Sequence, residues 1–371
     1  MVGIKDVARM AGVSTATASR ALTGSGPVAA ATRTRVQEAV ATLGYVADSA
    51  ASSLASGRTR NIGLVTPSVH RWFFAAVLEG AADELVRHGY DLTLYDVGQD
   101  PERRSTVISD LLPRRRLDAL ITLSFRLSMF ELAGLERLGL PVIAVGGRLP
   151  AGETLPDWFT AVQVDHARAA RMATEHLLEL GHRDIAYVGR VDEDIEFQVS
   201  TERTRGFLHA LAATGVRTPA DWMVPADFTI GGTYHQARAL LADPRRRPTA
   251  VMCISDEMAM GTWMAAHSLG LRVPEDVSVM GLDGHPEAAR LGISTVDQNP
   301  LEQGRRAVRL ALGALDGAAH PHRIMHHLAL RPRASTAPPY TVSPDPPPTP
   351  LLHLGSSGTY LPVKGTPPWP P

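Results

Sequence analysis

From Asn61 onward the chain repeats one unit, a short apolar run followed by an amphipathic stretch of helical period. The runs read NIGLVT, DLTLY, DALITL, PVIAV, TAVQV, DIAYVG, TAVMCI and DVSVMG. Helical patterns separate them at roughly 72 to 88, 102 to 115, 130 to 138, 166 to 180, 201 to 214, 232 to 242 and 256 to 269. Runs this short and this apolar satisfy both their faces by lying parallel, with helices on either side. Eight of them are too many for one comfortable sheet, so the body divides into two similar α/β lobes. A helix near 300 to 316 and a strand IMHHLAL close it. A hydrophobic fraction of 44% is enough to fill two such cores.

The first sixty residues have a different texture. IKDVARMA places Ile4, Val7, Ala8 and Ala11 on one stripe, STATASRAL follows, and TRTRVQEAVATL carries Val36, Ala39, Val40 and Leu43 at helical spacing. Gly12 separates the first pair of helices, and Gly24 to Pro27 the second. Seven basic residues against three acids give this segment +4, and the remaining residues must carry −5 to reach the total of −1. A basic head on a mildly acidic body suits a head that touches a polyanion.

AGVSTATASRAL, residues 11 to 22, is nearly free of large apolar side chains. With Ser14 as N-cap, Thr17, Ala18, Ala21 and Leu22 fall on a face small enough for close helix packing. Thr15, Ala16, Ser19, Arg20 and Thr23 fall on the other. Short hydroxyls, a methyl group and an arginine fork are what a helix entering the major groove needs, and bulk there would hold it out. An amphipathic hairpin capping the next domain has the same composition. The glycine turn, the third striped helix and Arg33 and Arg35 beside it favour the DNA reading.

Several classes are excluded or disfavoured. Cys253, the single cysteine, rules out an internal disulfide and reads as packing in a reducing compartment. The N-terminus lacks a basic region followed by an apolar one, and no apolar run is long enough to span a bilayer, so a soluble cytoplasmic protein is expected. GxxxxGK, GxSxG and HExxH are all missing, which leaves catalysis without a candidate and implies no cofactor. His320, His322, His326 and His327 cluster, but a crossing and a strand explain them better than a metal does. His176 and His182 end a helix, and the acidic loop Asp192 to Glu196 reads as solvated.

The motifs IKDVARMAGVSTATASRAL, PVAAATRTRVQEAVATLGY, SLASGRTRNIGLV, VDHARAARMATEHLLELGHRDIAYVG, ERTRGF, PTAVMCISDEMAMG, LRVPEDVSVMGLDG and STVDQNPLEQGRRAV stand in one order. Over roughly residues 3 to 337 this resembles the lactose-repressor/galactose-repressor (LacI/GalR) family of bacterial transcription regulators. The resemblance implies a helix-turn-helix head with a hinge helix, then a two-lobed periplasmic-binding-protein-like sensor of parallel α/β sheets. It implies a dimer on a pseudo-palindromic operator of double-stranded DNA, controlled by a small effector. The expected boundaries are 1–46 for the head and 47–60 for the hinge. The sensor is 61–337, with lobe one about 61–162 plus 298–321 and lobe two about 163–297 plus 322–337. A disordered proline-rich tail spans 338–371.

By that resemblance Thr15 and Ala16 match the base-reading pair, Arg20 a base-contacting arginine, and Ser14 and Ser19 phosphate-contacting hydroxyls; Arg33 heads the third helix, where a phosphate contact is expected. Leu54 matches the leucine that wedges into the minor groove, and Ala51 the small residue beside it. The chain departs from the family pattern at Ala29, Ala47, Asp48 and Ser52, which predicts a weaker hinge anchor.

In the body, crossings between the lobes are expected near 161 to 165, 295 to 299 and 319 to 324. Ligands bind such folds at the carboxyl ends of the strands. The resemblance assigns Arg203 and Asp283 to gripping the effector, Phe228 to stacking on it, and Gln298 and Ser255 to further cleft positions. Phe73 or Phe74 borders the same cleft, though Phe74 reads equally as helix core. Asp256 reads as an N-cap, and Gly146 stands where some relatives carry an aspartate toward a sugar.

Two functions remain open at this level: a ligand-responsive repressor, or a solute receptor or enzyme body with an appended head. Within the first, a sugar, a sugar phosphate or a purine co-repressor fits, and an activator role is not excluded. The tail lacks leucine heptads, so dimers are expected rather than tetramers.

Overall fold

Three short helices build the head. α1 (Ile4–Ala11) starts where the Gly3 amide donates to Asp6 Oδ2 at 3.0 Å. It stops at Gly12, whose φ of 65° is the left-handed conformation that a side chain disfavours. α2 (Thr15–Thr23) and α3 (Ala30–Leu43) follow. Their shared core is almost entirely valine and alanine: Val7, Ala8, Ala18, Ala21, Val36 and Ala39 are buried. Cores this fine-grained let the helix axes approach closely, which the composition of α2 anticipates. The computed structural model describes residues 2–23, 26–45, 58–98, 100–114, 117–147, 154–189, 198–319 and 321–339. Ala51, Leu54, the altered positions Ala47, Asp48 and Ser52, the loop Asp192 to Glu196, His320 and residues 340–371 lie outside them.

The body consists of two six-stranded sheets. Lobe one contains β1 (Asn61–Thr66), β2 (Asp91–Asp96), β3 (Ala119–Leu123), β4 (Val142–Val145) and β5 (Phe159–Gln163). Its helices are α4 (Trp72–Arg87), α5 (Pro101–Thr106) and α6 (Met129–Glu136). Lobe two contains β6 (Ile185–Val188), β7 (Met223–Val224), β8 (Ala250–Cys253), β9 (Ser278–Asp283) and β10 (Ser294–Asp297). There α7 (His166–Glu179), α8 (Gln198–Ala213), α9 (Ile230–Leu241), α10 (Asp256–Ser268) and α11 (Pro286–Arg290) connect or flank the strands. The chain then returns through α12 (Pro300–Leu315), and β11 (Arg323–Met325) and β12 (Ala329–Arg331) complete the sheets. Lobe one runs β11-β5-β4-β3-β1-β2 and lobe two β12-β10-β9-β8-β6-β7; every pairing is parallel except β12 on β10.

Two expectations need correction. IMHHLAL is not one strand: β11 pairs with β5 in lobe one, the chain crosses at 326–328, and β12 pairs with β10 in lobe two. The third crossing therefore falls later than 319 to 324, and residues 323–325 belong to lobe one. Apolar character alone does not report which sheet edge a segment joins. The helical pattern at 102 to 115 is also interrupted, passing from α5 into a wide turn at Val107–Leu111 and a tight one at Leu112–Arg114. Pro113 lacks the amide that would continue it.

The entry into the body is pinned. Thr59 and Arg60 donate their amides to the Asp118 carboxylate at 2.7 and 2.9 Å, and Arg58 Nη2 donates to Leu315 O at 2.7 Å. Residues 58–60 are thus tied to lobe one just before β1. Among the described residues no helix is long and apolar enough to cross a membrane.

α4 and α12 meet backbone to backbone. A methyl group at Gly80 would clash with Leu301 O, and one at Gly304 with Val77 O. Gly304→Ala is therefore expected to destabilise the body by about 1–3 kcal/mol from overpacking, despite a gain of about 1 kcal/mol in helix propensity. Chemical denaturation with an unchanged or raised midpoint would contradict this close approach.

Candidate functional site

The head presents one polar face. Ser14 caps α2, accepting the Thr17 amide at 3.1 Å and pairing with the Thr17 hydroxyl at 2.9 Å. Ser14, Thr15, Ala16 and Arg20 are exposed and Ser19 half-buried, while Ala18 and Ala21 face the core. Arg20 lies back along its helix, its Nε donating to Ala16 O at 3.2 Å. Arg33 sits half-buried in the first turns of α3, whose N-cap Ala29 has no side chain able to accept an amide. The face combines short donors with one long cation, and nothing on it needs burial.

The second constellation lies between the lobes. Its cavity, about 130 Å³, is comparable with the ~150 Å³ apolar cavity known to accept benzene. Lobe one contributes residues just past the carboxyl ends of its strands: Ser68 after β1, Gly98 after β2, Phe125 after β3, Gly146 after β4 and Val164 after β5. Asp283 at the end of β9 and Gln298 just after β10 face them from lobe two. This is where parallel sheets leave unsatisfied backbone and room for a ligand.

Asp283 is the polar centre. It is 7% exposed, accepts from Arg203 Nη2 at 3.0 Å and from Gln298 Nε2 at 2.6 Å, and burial raises its pKa against the opposing pull of Arg203. Arg203 Nη1 donates to Ile254 O, and Nη2 also lies 3.5 Å from His166 Nδ1. Gln303 Nε2 in turn donates to Gln298 O at 2.7 Å. Asp283 holds a φ of 123°, a conformation costing about 1–3 kcal/mol for a residue with a side chain. Asp256 braces it from behind, accepting the next two amides, Gly284 and His285, at 2.8 and 2.7 Å.

Phe73, Phe74, Phe228, Arg203, Asp283 and Gln298 all line the cavity. Ser255 does not: it is fully buried and caps α10 by accepting the Met258 amide at 3.2 Å. The cap expected of Asp256 is therefore made by Ser255, and Asp256 is the first residue of the helix. A one-residue ambiguity at a helix start decided both roles, and sequence spacing does not separate them. Gly146 borders the cavity, where a side chain would press on Ser124 Oγ.

Sequence reasoning missed Arg71, Arg104, Arg126 and His166, all in the lining. It also missed the contacts that join the lobes across the cleft. Arg71 reaches Glu257 of lobe two at 3.2 Å and lies over the Phe228 ring at 4.9 Å, and the Trp72 ring packs at a tilt against His285, with ring centroids 4.4 Å apart. The run HRWFF, with a cation beside three aromatics, was the available signal. His182 is buried among Thr249, Ser278 and Ala337 O, and burial lowers its pKa. Among the described residues no group of three or more histidine, cysteine or acidic side chains is placed to hold a metal.

Comparison with known proteins matches residues 3–48 to bacterial regulatory proteins of the lacI family and residues 174–336 to a periplasmic binding protein-like domain. The HTH-type transcriptional repressor PurR of Escherichia coli is 32% identical over 342 residues, 91% of this chain and 97% of that protein. The chain belongs to the lacI family of bacterial regulators. The structure of a transcriptional regulator CelR–cellobiose complex has a TM-score of 0.64 at 28% identity, covering 91% of this chain and all of that one. The Lac repressor dimer bound to operator and an anti-inducer has a TM-score of 0.75 at 24% identity, covering 91% and 99%. As a lacI-family member the chain is a DNA-binding transcriptional regulator with an effector-binding domain, and the relatives named here are regulators, not enzymes.

Burial, reinforced by the Asp283 charge, pushes Asp256 up to about 7. Its folded pKa thus lies above the unfolded value of about 3.9, so ionising it costs stability as pH rises from about 4 to 7, with the full cost above that. Asp256→Asn keeps an amide acceptor and removes the titration. Its melting temperature should gain on the wild type as pH rises from 5 to 7 and hold that gain at pH 8. A difference constant with pH would contradict the raised pKa.

Proposed function

We propose that this regulator is a ligand-responsive repressor that binds a pseudo-palindromic operator as a dimer in the cytoplasm, with a small sugar-like effector in the interlobe cleft setting its affinity. The observation that carries the effector half is the buried Arg203–Asp283–Gln298 group facing Phe228, Phe73 and Phe74 across one cavity. Bidentate donors and acceptors suit vicinal hydroxyls, and aromatic rings suit the apolar face of a sugar.

In the head, Thr15, Ala16 and Arg20 are the base readers, and Ser14, Ser19 and Arg33 the phosphate contacts. The hinge residues Ala51 and Leu54 are assigned to the minor groove at the operator centre. Effector binding changes the closure of the lobes and, through residues 58–60 pinned to lobe one, the geometry in which the two hinges reach DNA. A purine co-repressor is the second reading. It is favoured by the 32% identity to PurR over nearly the whole chain and by the flat aromatic faces of Phe73, Phe74 and Phe228 around the cavity.

With only short side chains at Thr15 and Ala16, base choice at those positions is weak and a longer pair should rewrite it. Replacing them together by glutamine and arginine is expected to change the preferred operator in a selection from random duplexes. The original operator should then lose about tenfold or more, since one wrong base pair costs about 1–3 kcal/mol. An unchanged preferred sequence would refute the placement of α2. Sedimentation of the full chain is expected to show dimers, and a stable tetramer would overturn that assembly.

A further inference from the structure

Among the described residues the cleft lining contains more positive charge than its acids match. Arg71, Arg104, Arg126 and Arg203 line the cavity, and Asp283 is the only acid among the described lining residues. Three of these cations are neutralised locally: Arg71 by Glu257 at 3.2 Å, Arg203 by Asp283 at 3.0 Å, and Arg104 by Glu131. Glu131 has little left to offer, because it also accepts the Ser128 amide and hydroxyl, each at 2.8 Å. Arg126, half-buried directly after β3 and Phe125, has no acidic partner among the described residues.

One further observation points the same way. Arg203 is 3% exposed, yet its Nε donor finds no partner among the described residues. The lining thus combines Arg126, a cation with no acidic partner among the described residues, with a second arginine that keeps an unpaired buried donor, in walls that include Phe73, Phe74, Phe125 and Phe228. Desolvating a cation against such walls is costly unless a counter-charge enters with the ligand.

We propose that the effector is an anion, a sugar-like ring bearing a phosphate or carboxylate whose charge is held by Arg126. The ring lies among Phe73, Phe74 and Phe228, and its hydroxyls meet Asp283 and Gln298. This rests on the cleft being the effector site, and it narrows the ligand class within that reading. It also distinguishes phosphorylated sugars and sugar acids from their neutral parents, which have nothing to offer Arg126.

The test uses the full-length protein and matched probes: glucose, glucose 6-phosphate and glucuronate; ribose and ribose 5-phosphate; fructose and fructose 6-phosphate; hypoxanthine; and inorganic phosphate as a competitor. Thermal shift is expected to show stabilisation by at least one charged member and none by its neutral parent at the same concentration. The phosphate and carboxylate members of the glucose set separate the two anion types. Titration calorimetry should then show binding weakened tenfold or more in Arg126→Gln, with Arg126→Lys intermediate because it keeps the charge and loses the fork. Competition by inorganic phosphate should weaken the charged ligand in the wild type. If a neutral sugar or hypoxanthine binds instead, with Arg126→Gln within twofold of wild type, the anion proposal falls and the cleft reading stands. If no probe of either kind binds, both fall.

Discussion

A carboxylate buried at the end of a strand organises the body of this protein. Asp283 sits where β9 runs out into the cleft, in a backbone conformation that costs energy, and it persists because its surroundings over-determine it. Arg203 from α8 and Gln298 from the second crossing share one of its oxygens, and Asp256 holds the two amides that follow it. One acid therefore ties together a strand end, a helix and a segment passing between the lobes. Removing Arg203 would leave a buried charge unpaired, an effect worth about 3–5 kcal/mol in comparable pairs.

The lobes are joined by more than the three chain crossings. Arg71 extends from the start of α4 to Glu257 and covers Phe228, and Trp72 packs on His285. The residues proposed to touch the effector are thus neighbours of those that hold the lobes together. A ligand that displaces Arg71 from Phe228, or sits beneath it, necessarily alters the interlobe contact. This is the differential interaction that an allosteric effector needs, because ligands shift a conformational equilibrium only as far as they discriminate between its states. Through Asp118, lobe one holds residues 59 and 60, the stretch of chain that leads into β1.

The sequence made much of this legible, and the failures have a common cause. Alternating runs located most of the strands because buried parallel strands must be apolar on both faces. α2 was readable as a helix with a small packing face and an exposed polar one, and it was the glycine turn, the third helix and the basic residues around it, rather than its own composition, that favoured a DNA reading. Phe73, Phe74, Phe228, Arg203, Asp283 and Gln298 do meet around one cavity. Ser255 and Asp256 were misassigned because serine and aspartate are both good N-caps, so residue type does not say which of two adjacent positions takes the extended N-cap backbone and which begins the helix. β11 was assigned to the wrong lobe because its apolar residues suit either sheet edge.

By itself, the sequence determined the class of fold, the DNA-reading head and the family, since periodicity, charge segregation and motif order depend only on residues near one another in the chain. Only the tertiary structure decided which charges meet. Arg71 and Glu257 are 186 positions apart, Arg203 and Asp283 are 80 apart, and Arg58 and Asp316 are 258 apart. Electrostatic matching depends on distance in space, so Arg126, without an acidic partner among the described residues, stood out only once the lobes had folded and its neighbours had found their acids.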